Sequence, residues 1–312
     1  MSPAPPVAVI DIGSNSIKVL VATRGAGGSI VPLKFRTIDA RIGTGISHVH
    51  PRLSDEGMKR GVQAIAALLQ DAAEYSPARM VLVATSAVRD AENGIVFREQ
   101  VRAATGHEIR ILSGSEEANL IGRGLTCDPA LRALRNFYVF DLGGGSLECL
   151  AFRDRQIVQA VSLQLGCVRL TERFVADVTA PFTSRARSMV AAHTLEVLAQ
   201  SGFAFSLPEN SVAIGTGGTI TTVRAILGTR AGKAFEQTNP IVTTAELQEL
   251  LAWSGALPLA DRKRVPGLPP ARADVFPTAL ATFLAVAEAG RFTAFQNSLF
   301  NLRFGLADQA LD

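Results

Sequence analysis

Apolar residues fall along this chain in short runs and in helix-spaced stripes, and the two alternate. Residues 7–10, 16–22 and 29–36 read as three consecutive strands, parted by turn residues that include Gly25-Ala26-Gly27-Gly28. Met58, Val62, Ile65, Leu68, Leu69 and Ala72 then recur on one face at helical spacing. Ser54 can cap that helix, and Asp55 and Glu56 sit in its positive first turn. Residues 80–84 form a continuous apolar run, the mark of a buried strand. Helix is expected over 93–105, strand over 108–112, and helix over 115–125 with Ser115 as its cap. This half therefore reads β-β-β-α-β-α-β-α.

The second half begins the same way, with strands over 137–140, 148–152 and 157–162 followed by helical stretches. Residues 211–214 read as a strand that ends in Gly215-Thr216-Gly217-Gly218-Thr219, where a helix opens. A Pro-rich loop, Val265-Pro266-Gly267-Leu268-Pro269-Pro270, precedes the last long helix at 274–289. A strand over 294–298 and a closing helix over 299–311 complete the chain. An internal duplication explains this layout better than one continuous sheet.

The repeat is sharpest at two loops. Ile10-Asp11-Ile12-Gly13-Ser14-Asn15-Ser16 and Phe140-Asp141-Leu142-Gly143-Gly144-Gly145-Ser146 share one design, Asp-x-Gly-x-x-Ser between apolar runs, 130 positions apart. Each reads as a tight hairpin whose small residues let backbone N–H groups face an anion beside one carboxylate. Ser14, Asn15 and Ser16 add side-chain donors, and three successive glycines cost backbone entropy that a close approach would repay. Either loop alone could be an ordinary turn. The third loop, with Gly215, Gly217, Gly218 and Thr219, has the same small-residue character at a helix start, where anions are favoured.

Two further segments follow strands. Thr85-Ser86-Ala87-Val88-Arg89 ends in an arginine with no obvious helical partner, so it can reach a phosphate as a bidentate donor or remain a solvated loop residue. Ser113-Gly114-Ser115-Glu116-Glu117 places two carboxylates at a helix start, where such pairs usually complement the helix dipole. No histidine lies near these loops, which leaves a carboxylate as the available base for activating water. Glu148, two residues beyond the second loop, shares a strand face with it. Asp11, Asp141 and Glu148 could hold a divalent ion such as magnesium, directly or through water. His48, His50, His107 and His193 show no metal-ligand pattern, and Arg262-Lys263-Arg264 with Arg272 reads as a solvated loop or a guide for a polyanion.

Bulk composition adds little. A 47% hydrophobic and 19% charged chain of 312 residues is globular and long enough for two cores. A net charge of +3 suits a polyanionic substrate without making a nucleic-acid surface. No apolar stretch approaches membrane-spanning length. Residues 1–6 lack the basic-then-apolar pattern of a secretory signal. Cys127, Cys149 and Cys167 are spaced too widely for a zinc knuckle and read as buried small hydrophobes in a reducing cytoplasm.

The order of these motifs closely resembles the exopolyphosphatase and guanosine pentaphosphate phosphohydrolase (Ppx/GppA) family of the actin-like ATPase superfamily. The likeness runs through 11–16, 84–93, 111–118, 139–148, Gly166-Cys167-Val168-Arg169-Leu170-Thr171-Glu172, 215–219, Arg272-Ala273-Asp274-Val275 and Leu302-Arg303-Phe304-Gly305. It implies an α/β fold of two ribonuclease H-like domains with mixed five-stranded sheets facing a cleft, divided as 1–124 plus 300–312 and 125–299. It implies release of terminal phosphate from polyphosphate or guanosine pentaphosphate in the cytoplasm. Glu117 would be the general base, and Asp141 and Glu148 would assist through magnesium or another divalent ion, with a monovalent cation as a further expectation. Asp11, Gly13, Ser14, Asn15, Ser16, Arg89, Gly143, Gly144, Gly145 and Ser146 would hold phosphate. No nucleic acid or membrane is expected as partner, and the oligomeric state stays open, with a homodimer among the options. Leu147, Phe304 and Thr278 depart from the threonine, glutamate and glycine usual in the family. A small-molecule kinase of the same superfamily and a non-catalytic sensor of polyphosphate or guanosine polyphosphates are the rival readings.

Overall fold

The structure, a computed structural model, describes residues 5–312, so residues 1–4 of the N-terminal segment lie outside the described residues. The chain runs β1 (Val7–Ile12), β2 (Ile17–Arg24), β3 (Ile30–Ile38), α1 (Asp55–Ala73), β4 (Arg79–Ala84), α2 (Ser86–Asp90), α3 (Gly94–Thr105), β5 (Ile109–Ile111) and α4 (Gly114–Thr126). It continues through β6 (Phe137–Leu142), β7 (Leu147–Arg153), β8 (Gln156–Leu163), α5 (Cys167–Phe174), α6 (Ser184–Gln200), β9 (Val212–Thr216) and α7 (Gly218–Arg230). The remainder is β10 (Ile241–Thr243), α8 (Thr244–Gly255), α9 (Leu259–Arg262), α10 (Phe276–Gly290), β11 (Ala294–Asn297) and α11 (Leu302–Leu311).

Two compact units result: one holds the chain up to Ala133 with Phe300–Asp312, the other is Leu134–Leu299. The boundary expected at 124/125 falls inside the last turn of α4, a helix that belongs whole to the first unit. The first unit's sheet has the order β3-β2-β1-β4-β5. All six residues of its central strand β1 are buried, which is why that segment reads as an apolar run. β1 and β4 are parallel in the register Ile12↔Ala84, and β4 and β5 in the register Ala84↔Ile111. Three strands therefore stop at one edge.

In this unit α4 and α11 pack closely because of two glycines. A Cβ on Gly124 would overlap the Asn301 carbonyl oxygen, and one on Gly305 the Leu120 carbonyl oxygen. Asp308 of α11 accepts from Arg24 and Arg123, each at 2.6 Å, which ties the helix to β2 and α4.

The second unit's sheet has six strands in the order β10-β11-β9-β6-β7-β8, one more than expected. The extra strand is β10, three residues antiparallel to β11, too short to leave a periodicity in the sequence. Phe140 at its centre packs against Phe203, Phe205, Phe292 and Phe295. Arg262, expected in a solvated loop, is only 2% exposed. It donates to the carbonyls of Ser254, Leu257 and Ala273 and so fastens the Pro-rich loop to the unit's core.

Gly305→Ala forces a methyl group into the α4–α11 contact. Overpacking of this kind costs about 1–3 kcal/mol, so urea unfolding is expected to show a stability loss in that range with an unchanged denaturant slope.

Candidate active site

Ligands of open α/β sheets bind beyond the carboxyl ends of the strands, and the first unit's chemistry gathers there. After β1, the Gly13 N–H donates to the Ser16 carbonyl at 3.2 Å and closes the first loop. Gly43 N–H donates to the Ser14 carbonyl at 2.8 Å and Arg41 N–H to the Asn15 carbonyl at 2.9 Å. Arg41 adopts a left-handed φ of 49° to do so, and Arg60 of α1 secures the turn by donating to the Ala40 carbonyl at 3.0 Å. The trans peptide is planar with N–H and C=O opposed, so each held carbonyl aims the next residue's N–H the other way. Ser14 and Ser86 hydroxyls lie 3.1 Å apart. Asn15 is buried, and neither carboxamide atom has a hydrogen-bond partner in the protein, an expense of about 1–3 kcal/mol per group that a polar ligand or its waters would offset.

The segments after β4 and β5 meet beside this loop's strand. Thr85 N–H donates to the Ile12 carbonyl at 3.2 Å, and Leu112 N–H to the Ala84 carbonyl at 2.9 Å. Arg89 has the partner that the sequence hides: its Nη1 donates to Glu117 Oε2 at 2.6 Å and to the Leu112 carbonyl at 3.2 Å. It sits in the short helix α2, not in a solvated loop. The two adjacent glutamates part company. Ser113, not Ser115, caps α4, and Glu116 completes a capping box with it while pairing with Arg110 at 2.6 Å. The Ser113 N–H, then Arg110 and the Ser113 hydroxyl, hold the Glu116 carboxyl down at about 2. Glu117 is 6% exposed and turned to Arg89. Helix-dipole complementarity therefore explains Glu116 and not Glu117.

The second unit repeats the hairpin with different chemistry. Gly143 N–H donates to the Ser146 carbonyl at 3.0 Å. In the first hairpin Asp11 stands in register with Lys18, whose ammonium lies 3.7 Å away. In the second Asp141 stands in register with Glu148. Glu148 is buried and accepts from the Ser162 hydroxyl at 2.7 Å. Directly opposed carboxylates repel, and a divalent ion bound by both relieves that cost. One or two protein carboxylates are what magnesium takes alongside phosphate oxygens, so this pair fits the ion. Among the described residues, no three His, Cys, Asp or Glu side chains gather as metal ligands.

At the third loop, Gly217 has φ 81° and the Asp141 carboxylate occupies the place a side chain would take. The Arg272 guanidinium lies in the same way over Gly218, at the start of α7. Gly215 lies inside β9, its carbonyl accepting from Ser298 N–H and Asn297, and Thr219 is buried in the first turn of α7.

Lys18 and Ser162 are site residues that no motif marks, and Arg272 lies at the third loop and not with the basic cluster at 262–264. Lys18 had a signal: it occupies the position that Glu148 holds in the repeat. His50 is engaged by Glu92 at 2.8 Å. Burial pushes the Cys167 and Cys127 thiols up to about 11 and that of Cys149 well above its usual value, although Cys127 is half-exposed and not buried as expected. No helix among the described residues is long and apolar enough to cross a membrane.

Because the folded Glu116 carboxyl lies below its usual 4.5, its stabilising effect is complete above that pH and is lost as pH falls towards about 2. Glu116→Gln is therefore expected to melt below the wild type at neutral pH, with the gap closing between pH 4.5 and 2. A gap independent of pH would contradict the capping role.

Comparison with known proteins bears on the fold and the family. The exopolyphosphatase of Cytophaga hutchinsonii superposes with a TM-score of 0.88 at 23% identity, over 98% of both chains. A Ppx/GppA protein of Aquifex aeolicus gives 0.79 at 23% identity, over 99% of this chain and 98% of that one. At such identities these matches speak for the fold. A model of the Ppx/GppA phosphatase family matches residues 20–312, and the chain belongs to that family.

Proposed function

We propose that this protein hydrolyses phosphoanhydrides, releasing the terminal phosphate of inorganic polyphosphate or guanosine pentaphosphate. Family membership supports the reaction class. The observation that carries the reading is the contrast between neighbours in α4. Glu116 is consumed by the helix cap, whereas Glu117 is buried at the strand edge against Arg89. A buried carboxylate placed there has a use as a general base that a surface glutamate lacks.

In this reading water attacks the terminal phosphorus in line with the bridging oxygen. The new P–O bond forms as the bridging bond breaks, Glu117 takes the water's proton, and the shortened chain leaves with the bridging oxygen. Such transition states ask mainly for positioning and charge stabilisation. Within the first unit, Arg89, Ser14, Asn15 and Ser16 offer donors to phosphate oxygens; within the second, Arg272 and the amides of Gly143, Gly144, Gly145 and Ser146 offer donors of the same kind. Asp141 and Glu148 would hold magnesium, which when bound offsets phosphate charge; Asp11 is already paired with Lys18.

Phosphate release from tripolyphosphate, long polyphosphate and guanosine pentaphosphate tests this. Glu117→Gln is expected to lose turnover by about 10²–10⁴-fold, the usual worth of a general base. Glu116→Gln is expected to keep it. Equal losses in the two variants, or undiminished turnover in Glu117→Gln, would remove Glu117 from its role.

A further inference from the structure

The segment Gly166-Cys167-Val168-Arg169 carries no part of the chemistry above, yet it is fastened to the second phosphate loop at every available carbonyl. Cys167 N–H donates to the Gly143 carbonyl at 3.0 Å. Val168 and Arg169 N–H groups donate to the Gly144 carbonyl at 2.8 and 3.2 Å. Arg169, 8% exposed, sends its Nε–H to the Gly145 carbonyl at 3.0 Å. The approach is so close that a Cβ on Gly166 would overlap the backbone of Gly144 and Gly145.

A helix start is normally an anion site because its first N–H groups have no partners. In α5 those groups are spent on loop carbonyls. The consequence follows from peptide geometry. Holding the carbonyls of Gly143, Gly144 and Gly145 on the α5 side turns the N–H groups of Gly144, Gly145 and Ser146 to the opposite side. None of these three amides donates to a protein acceptor among the described residues. Glycine peptides would otherwise flip readily, since glycine populates both signs of φ.

We propose that Arg169 is a positioning residue for catalysis: with the first turn of α5 it locks three consecutive peptides so that their amides present a fixed cradle to a substrate phosphoryl group. The inference rests on the phosphate-binding role proposed for that loop. Arg169 acts through the Gly145–Ser146 peptide, whose carbonyl it holds. A lysine cannot reproduce the directed Nε–H of the guanidinium.

The test uses the full chain and two variants, Arg169→Met and Arg169→Lys, with two readouts. Amide resonances and hydrogen exchange are followed for residues 143–146 and 11–16 without substrate. Steady-state phosphate release is then measured on tripolyphosphate and guanosine pentaphosphate. Both variants are expected to shift the amide resonances of Gly144, Gly145 and Ser146 and to speed exchange at Gly143, whose N–H closes the loop on the Ser146 carbonyl, while leaving the amides of Asp11–Ser16 in place. The kcat is expected to fall by about tenfold or more, by analogy with the loss of one oxyanion donor. The methionine variant should lose more than the lysine variant, which retains the charge and most of the packing if methionine is not tolerated. Unmoved loop amides, or a kcat within twofold (about 0.4 kcal/mol) in folded Arg169→Lys, would overturn the proposal. A wild-type chain inactive on every such substrate, with the amides still displaced in the variants, would sink the hydrolase reading and leave the positioning role standing.

Discussion

The chemistry of each unit depends on where its parallel strands stop. Ile12, Ala84 and Ile111 are level across β1, β4 and β5, so the segments that follow them share one edge. That common ending brings Arg89 to Glu117 across 28 residues of sequence, and a shift of one strand by a single position would reverse the faces of its side chains. In the second unit Asp141 and Thr216 are level across β6 and β9, which sets the Asp141 carboxylate against Gly217. The loops are short and their conformations are imposed by neighbours that hold their carbonyls: a turn braced by Arg60 in one unit, the start of α5 in the other.

The two units keep the hairpin and divide the labour. An acid and an amine face each other in the first, Asp11 with Lys18, so its charge is balanced internally. Two acids stand in register in the second, Asp141 with Glu148, an arrangement suited to an added cation. The buried Glu117 with Arg89 belongs to the first unit, and the guanidinium over a glycine loop, Arg272 at Gly218, to the second. The two units share the hairpin frame and differ at a matched position, Lys18 in one and Glu148 in the other.

Much of this is legible in the sequence. The buried strands announce themselves as apolar runs, and the two hairpins as a repeated Asp-x-Gly-x-x-Ser. What sequence could not supply was pairing at long range. Arg89 looked partnerless because Glu117 is brought to it only by strand register. Arg262 reads as solvated because its partners are backbone carbonyls, at and just after the end of α8 and at Ala273 beyond the Pro-rich loop, which side-chain pattern does not show. Ser113 and Ser115 are equally good caps by type, and only the reach of Glu116 back to the Ser113 N–H decides between them. β10 is three residues long and exists because β11 offers it an edge. The clasp on the second loop is made mostly of backbone, and backbone bonds leave no signature in side-chain pattern beyond Gly166 itself.

The central claim is that Arg89 and Glu117 act as one unit on the reacting phosphate. A double-mutant cycle on kcat with Arg89→Met, Glu117→Gln and the pair tests it most directly. The account predicts strong non-additivity, the double variant losing little more than Glu117→Gln alone, as coupled groups in contact do. Losses that simply multiply would show two independent residues and contradict it.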